Sequence, residues 1–347
     1  MTTRRDSSKG LTDSAGPTGP TYGTTTTASR PRALSAPRIG RGRRVLRAAA
    51  MAATLPYLAL KAAWLAGSDL GIPAGSVLLE PGAFFVVANS VTLAMDACVI
   101  LLVLVLTRPW GLRVPAPLLT FPVFVATGLL TPITVAFPAQ LLVRALGMGA
   151  GEAARAAQEP FLDPWVYGVV YGGFIVQGLA LAGLFVPYAR QRWGGVWQGA
   201  LGRRLPSPTG VVAGVAAVTG AVVGAIHLYW AFGGGAGLPA GRGAVYSAET
   251  GVVSATHALC VLGAAVGAVV LARGGRLPAR RPLALTWICA AAALNWGAWL
   301  MLAVLAPDGG TGEQVTAAMF LTYAGQTITG LLASTVLIRS LRSRHTG

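Results

Sequence analysis

The stretch His227-Leu-Tyr-Trp-Ala-Phe-Gly-Gly234 closes an apolar run and leads into Gly237-Leu-Pro239. An earlier stretch carries the same pattern: Lys61-Ala-Ala-Trp64-Leu-Ala-Gly67, then Gly71-Ile-Pro73. Aligned without a gap, Lys61 falls on His227, Trp64 on Trp230, Gly67 on Gly233, Gly71 on Gly237, Pro73 on Pro239 and Gly75 on Gly241. The chain reads as two copies of one unit, each opened by this segment.

The composition says what kind of unit it is. Of 347 residues, 54% are hydrophobic and 11% charged, whereas a soluble domain carries about 25% charged residues. The mean hydropathy is +0.62. Eight apolar segments run at approximately 46–66, 84–106, 117–140, 164–188, 210–233, 250–272, 283–305 and 315–338. Each is long enough to cross about 30 Å of hydrocarbon as a helix. The expected fold is an all-α polytopic membrane helix bundle of eight transmembrane helices.

Charge placement orients it. Arg108 and Arg113, then Arg190, Arg192, Arg203 and Arg204, then Arg273, Arg276, Arg280 and Arg281, and finally Arg339, Arg342 and Arg344 occupy alternate connections and the C-terminus. The other connections hold Asp69 and Glu80; Glu152, Glu159 and Asp163; Glu249; Asp308 and Glu313, with only Arg144, Arg155 and Arg242 as bases. By the positive-inside rule both termini face the cytoplasm, in agreement with an even number of spans, which puts both on one side. The expected home is the cytoplasmic membrane, with the lipid bilayer as the main partner.

The formal charge of +16 could suggest nucleic acid, but ten of the 27 basic residues lie between Arg4 and Arg47, and no basic patch is interleaved with aromatics. No nucleic-acid partner is expected. Residues 1–44 are rich in Ser, Thr, Gly, Pro and Arg. Such a segment buries too little apolar surface to offset the entropy of ordering, so it reads as a disordered cytoplasmic tail able to rest on anionic lipid. Residues 45–190 then form the first four-helix repeat, 191–209 a linker, 210–339 the second repeat and 340–347 a short tail. Four spans per repeat make the copies parallel, related by an axis along the membrane normal. The fourth segments also match, Tyr171-Gly-Gly173 falling on Tyr323-Ala-Gly325.

Few side chains within the spans carry chemistry. Asp96 is the one acid inside a span, and an intramembrane carboxylate is a functional candidate by default. By helical rise it lies about 10 Å deeper than Lys61. Lys61 is expected either to snorkel outward or to pair with Asp96, its long side chain spanning part of the gap or Asn89 and a water bridging it. Gln177, Asn295 and Gln326 sit near mid-depth. With Asp96 they are expected to line a polar cavity between the repeats, as a substrate site that Lys61 borders.

His227 and His257 lie roughly 9 and 11 Å deep, and Cys260 is one turn beyond His257. Two imidazoles from neighbouring helices can serve a metal or a haem iron. The alternative is a pair of neutral histidines, each bonded to a hydroxyl or a carbonyl on a neighbouring helix, with Tyr246, Thr250 and Thr256 as candidates. Cys98, Cys260 and Cys289 all lie in spans, so no disulfide framework is expected. Trp64 and Trp230 read as interfacial belt residues. Gly220-x-x-x-Gly224 and Gly263-x-x-x-Gly267 read as close-packing faces. Pro122, Pro132 and Pro138 are expected to kink the third span.

The string His227-x-Tyr229-Trp230-Ala-x-Gly233-Gly234 resembles a signature of uncharacterised bacterial four-helix membrane proteins, a domain-of-unknown-function family. The resemblance is best over the second half. The first copy departs from it, with Lys61 for His and Ala63 for Tyr. The resemblance implies membrane location and no specific activity. The chain carries no G-x-x-x-x-G-K-[ST] loop, no H-E-x-x-H and no G-x-S-x-G, so ATP-driven pumping and aqueous hydrolysis are not expected of it. Three function classes are named by the residues: a small-molecule or ion permease, a membrane redox or metal-binding protein using His227 and His257, and a non-catalytic scaffold or partner subunit; an intramembrane enzyme stays open, with no residues to specify its reaction.

Overall fold

The computed structural model describes residues 40–79, 82–149, 162–239, 246–305 and 316–345. Eight helices fill these ranges: α1 (Arg41–Leu65), α2 (Ala83–Thr107), α3 (Ala116–Ala145), α4 (Pro164–Trp197), α5 (Ser207–Ala231), α6 (Ala248–Arg273), α7 (Arg280–Leu305) and α8 (Ala317–His345). All eight are long and apolar enough to cross a membrane. The chain is an all-α polytopic membrane bundle. In hydrocarbon a spanning segment must satisfy its own backbone polar groups, and the helix does so within one segment.

The ends differ from expectation in three places. Residues 41–44, expected in the tail, form the first turn of α1, and Arg43 donates to the Leu106 carbonyl near the end of α2 at 2.7 Å. A cation there meets the partial negative charge of a helix C-terminus. The rest of the expected tail, 1–39, lies outside the described residues, as do Glu80, Glu152, Arg155, Glu159, Arg242, Asp308 and Glu313. The linker is also more ordered than expected: α4 runs to Trp197, and a short strand β1 (Ala200–Gly202) pairs antiparallel with β2 (Gly275–Pro278). Lastly, α8 continues through the expected C-terminal tail to His345. There Arg344 donates to the carbonyls of Val196, Gln198, Ala200 and Leu201 at 2.5–3.2 Å. One guanidinium thus supplies donors to a connection that leaves α4 without helical partners.

The second half is the tighter bundle. α5 packs on α6 and α8, and α7 on α6 and α8. The glycines explain the closeness. A Cβ on Gly220 or Gly224 of α5 would collide with Ala265 or Leu262 of α6, and one on Gly263 or Gly267 of α6 would collide with Cys289 or Thr286 of α7. Small residues let helices approach within van der Waals contact, the main attraction available in lipid. The first half is more open: α1 packs on α4 and α2, and α4 on α3. α3 joins the halves by packing on α6 and α7. A Cβ on Gly128 of α3 would strike the Ala291 carbonyl and the Asn295 amide of α7.

The proline-rich α3 is one helical element across Pro122, Pro132 and Pro138. One turn before Pro132, the Leu129 carbonyl accepts the Trp296 indole N–H of α7 at 3.0 Å. The backbone irregularity falls in α4 instead, at Trp193 (φ −128°, ψ 30°).

Candidate functional site

The repeated motif folds the same way twice. At the end of α1 the Gly67 and Ser68 amides donate to the Trp64 and Ala63 carbonyls. At the end of α5 the Gly233 and Gly234 amides donate to the Trp230 and Tyr229 carbonyls. Gly67 (φ 87°) and Gly233 (φ 90°) take the left-handed conformation that ends the helix, which glycine adopts without steric cost. Trp64 and Trp230 are not belt residues at the lipid interface. They are 9% and 6% exposed, and their indole N–H groups donate to the Leu70 and Ala236 carbonyls, six residues on, at 2.8 and 3.0 Å. Each tryptophan ties its loop back over the helix end.

The loop is then tied to the fourth helix of its half. The Gly71 carbonyl accepts the Asp163 amide just before α4 at 2.9 Å. The Gly237 carbonyl accepts the Thr316 hydroxyl just before α8. Changing either tryptophan to phenylalanine keeps the packing and removes one hydrogen bond. Each change is expected to cost about 1 kcal/mol, measured by unfolding in mixed micelles followed by circular dichroism. Equal losses for Trp64→Phe and Trp230→Phe would show that the two copies share this energetic role.

On this common frame the two halves hold different chemistry. In the first half, Lys61 Nζ donates to Asp96 Oδ2 at 2.6 Å. The lysine side chain is 1% exposed, so it does not snorkel. Its ammonium also lies 3.8 Å from the centroid of the Tyr57 ring, one helical turn back on α1, in cation–π contact. The bridge through Asn89 is not used, because its amide donates to the Phe85 carbonyl of its own helix.

The direct contact follows from how side chains leave a helix. Cα–Cβ bonds tilt toward the helix N-terminus. α1 starts at the arginine-rich end, so Lys61 leans away from the acid-bearing end. α2 runs the opposite way, so Asp96 leans toward it. The two side chains close a gap that the backbone rise alone leaves open.

In the second half, His227 takes the place of Lys61. Its ring stacks on His257 of α6 with centroids 5.4 Å apart and 23° between planes. Gln326 of α8 joins them: its Oε1 lies 2.9 Å from His227 Nε2, and its Nε2 lies 3.3 Å from His257 Nδ1. With the amide so oriented, His227 donates from Nε2 and His257 accepts at Nδ1, so the His257 ring is neutral. Trp230 and Trp296 meet the two rings edge-on.

The hydroxyls expected to serve the histidines are occupied elsewhere. Tyr246 donates to the Ala231 carbonyl, Thr250 closes the capping box with Ser247, and Thr256 donates to the Val252 carbonyl. The partner of His227 is a carbonyl on a neighbouring helix, that of the Gln326 side chain, and not one of the three hydroxyls.

The donor geometry bears on a metal. Imidazole lone pairs lie in the ring plane, so two stacked rings do not aim them at one point. Cys260 is buried and free. Among the described residues no group of three or more His, Cys, Asp or Glu side chains is placed to hold a metal ion. As placed, His227 and His257 do not form a chelating pair.

The expected polar cavity between the repeats is not assembled. Asp96 is held by Lys61 within the first half. Gln177 donates to the Thr54 hydroxyl of α1 at 3.0 Å. Asn295 donates to the Ala291 carbonyl of its own helix at 2.8 Å, and Gln326 is held by the two histidines. Each of the four side chains finds its hydrogen-bond partner inside its own half, so they are not drawn together at one place. Tyr57 was missed by sequence reasoning. Its signal was the four-residue spacing from Lys61, which puts both on one helix face.

Comparison with known proteins finds no matching family model, no matching curated protein and no matching solved structure. The geometry above is therefore what bears on function: the protein is an integral membrane protein with a buried ion pair in one half and a histidine–glutamine–histidine cluster at the matching place in the other.

Proposed function

We propose that this protein is a small-molecule or ion permease of the cytoplasmic membrane, with its termini inside, whose substrate or coupling ion engages the Lys61–Asp96 pair. One observation carries the reading: the pair is buried at 2.6 Å between two membrane helices. Taking two charges out of water costs several kcal/mol per ion, and well-packed apolar residues serve stability as well or better. A bundle selected only to stand in the membrane has no use for such a pair. A site that exchanges one partner for a permeant ion has one.

The surroundings support the same reading. α2, which carries Asp96, packs mainly on α1 in the looser half, and an element held by few neighbours moves at low cost. The basic residues at the arginine-rich end suit an anionic leaflet.

A scaffold is the competing reading, and the hydrogen bonds that already hold Gln177, Asn295 and Gln326 favour it. Flux separates the two. Proteoliposomes with an entrapped pH dye are challenged in turn with gradients of sodium, potassium, ammonium, chloride and a mixture of neutral amino acids. The expected result is protein-dependent flux for at least one solute, reduced at least tenfold by Asp96→Asn in a folded variant. Flux equal to that of protein-free vesicles for every solute would count for the scaffold.

A further inference from the structure

Resting on the permease reading, we infer that the Asp96 site takes a primary ammonium or a similarly small organic cation, which replaces the Lys61 ammonium between the Asp96 carboxylate and the Tyr57 ring. Three observations converge on that class.

The first is the present occupant. The Lys61 ammonium sits on a carboxylate at 2.6 Å and over an aromatic face at 3.8 Å. This is the environment that binds alkylammonium ions: a negative charge on one side and a ring quadrupole on the other. Lys61 is a tethered example of the ligand. An anion would have to displace Asp96 and then face a ring whose π-cloud repels it.

The second is a row of rings that leads to the pair. Tyr57 meets Phe174 edge-on at 5.3 Å, Phe174 meets Tyr171 at 6.3 Å, and Tyr171 stacks on Tyr167 at 6.2 Å. Tyr167 is exposed, in the first turn of α4. Tyr171 is itself stacked between Phe137 and Tyr167, so the row places aromatic rings from the acid-bearing end inward, and the cation–π face in contact with the ammonium is that of Tyr57. Asp163 lies just before α4, and exposed Asp69 lies in the loop whose Gly71 carbonyl accepts the Asp163 amide. Two carboxylates at the entrance raise the local cation concentration.

The third is the contrast with the other half. There the matching position is filled by His227, already bonded to Gln326, with no carboxylate partner. Among the described residues, only the first half presents a net negative site within its spans once its lysine is displaced.

The test is equilibrium binding to the full-length protein in detergent, read as the thermal unfolding midpoint against ethylammonium chloride, with sodium chloride at equal ionic strength as reference. Wild type is expected to show a saturable rise that sodium does not give. Lys61→Met, which removes the tethered rival, is expected to bind ethylammonium at least tenfold more tightly. Tyr57→Leu should weaken binding at least fivefold and Tyr57→Phe should leave it intact, because the ring face and not the hydroxyl makes the contact. Asp96→Asn should abolish the rise, and the Tyr57 variants carry the test should Asp96→Asn fail to fold.

A Lys61→Met protein that binds while wild type does not would overturn the inference, since the lysine would then never yield. An equal response to sodium would overturn the ammonium class. Flux of another solute with no ammonium response sinks this inference and leaves the permease reading standing. Ammonium binding without flux of any solute does the reverse.

Discussion

Replacing Lys61 with methionine is expected to destabilise the protein by about 3–5 kcal/mol, the cost of leaving one member of a buried pair uncompensated. Methionine matches the lysine stem in length and flexibility, so little of the loss comes from packing. The carboxylate is what suffers. It loses its charge partner at 2.6 Å and no other hydrogen-bond partner is described for it. The second replacement reverses the sign. With Asp96→Leu added, the site becomes apolar in an apolar medium, and most of the lost stability should return. A cycle of the two single variants and the double, unfolded in mixed micelles and followed by circular dichroism, measures this directly. A Lys61→Met variant within about 1 kcal/mol of wild type would mean that Asp96 finds water or another partner, and that the pair is not sealed.

The second large effect lies in the other half. Gln326→Leu nearly conserves volume but strips a partner from His227 Nε2 and from His257 Nδ1 together. A buried polar atom left unsatisfied costs about 1–3 kcal/mol, so two of them should cost about 2–6 kcal/mol. His227→Leu in the same background should then cost much less than it does alone, because its bond is already gone. The measurement also bears on the redox reading. Were His227 and His257 metal ligands, Gln326 would be dispensable for stability, and Gln326→Leu would raise metal uptake on titration with zinc or copper salts. A Gln326→Leu protein as stable as wild type would remove the cluster described here.

The helices were legible because the signal for them is long and local. A span of twenty apolar residues has few alternatives in water or in lipid, and all eight were found, with ends within a few residues except where a helix ran on, at 41–44, 141–145, 189–197 and 340–345. The motif around Trp64 and Trp230 was legible as a repeat, but its purpose was not. A tryptophan near a helix end is ambiguous between the lipid interface and a loop carbonyl, and the choice depends on the fold of the following six residues.

The candidate site was half legible. Lys61 and Asp96 stood out as charges in apolar runs, and His227 and His257 as two imidazoles at one depth. Their partners were harder to see. Depth counted along helix axes ignores the lean of each side chain, which brings Lys61 onto Asp96. Which helix faces which is a tertiary fact, and it decides that Gln326 serves the histidines while Gln177 serves Thr54. A single cavity shared by Asp96, Gln177, Asn295 and Gln326 was the natural expectation from depth alone, and facing direction dissolves it.

The most direct test of a functional role for the ion pair is flux through the Lys61→Met/Asp96→Leu double variant in proteoliposomes, with folding checked by circular dichroism. Apolar replacement keeps the bundle standing while removing both charges, so structure and function part company in this one protein. The account predicts a folded variant whose flux falls to that of protein-free vesicles. A folded double variant that transports as wild type does would contradict it, and would make the Lys61–Asp96 pair a structural contact alone.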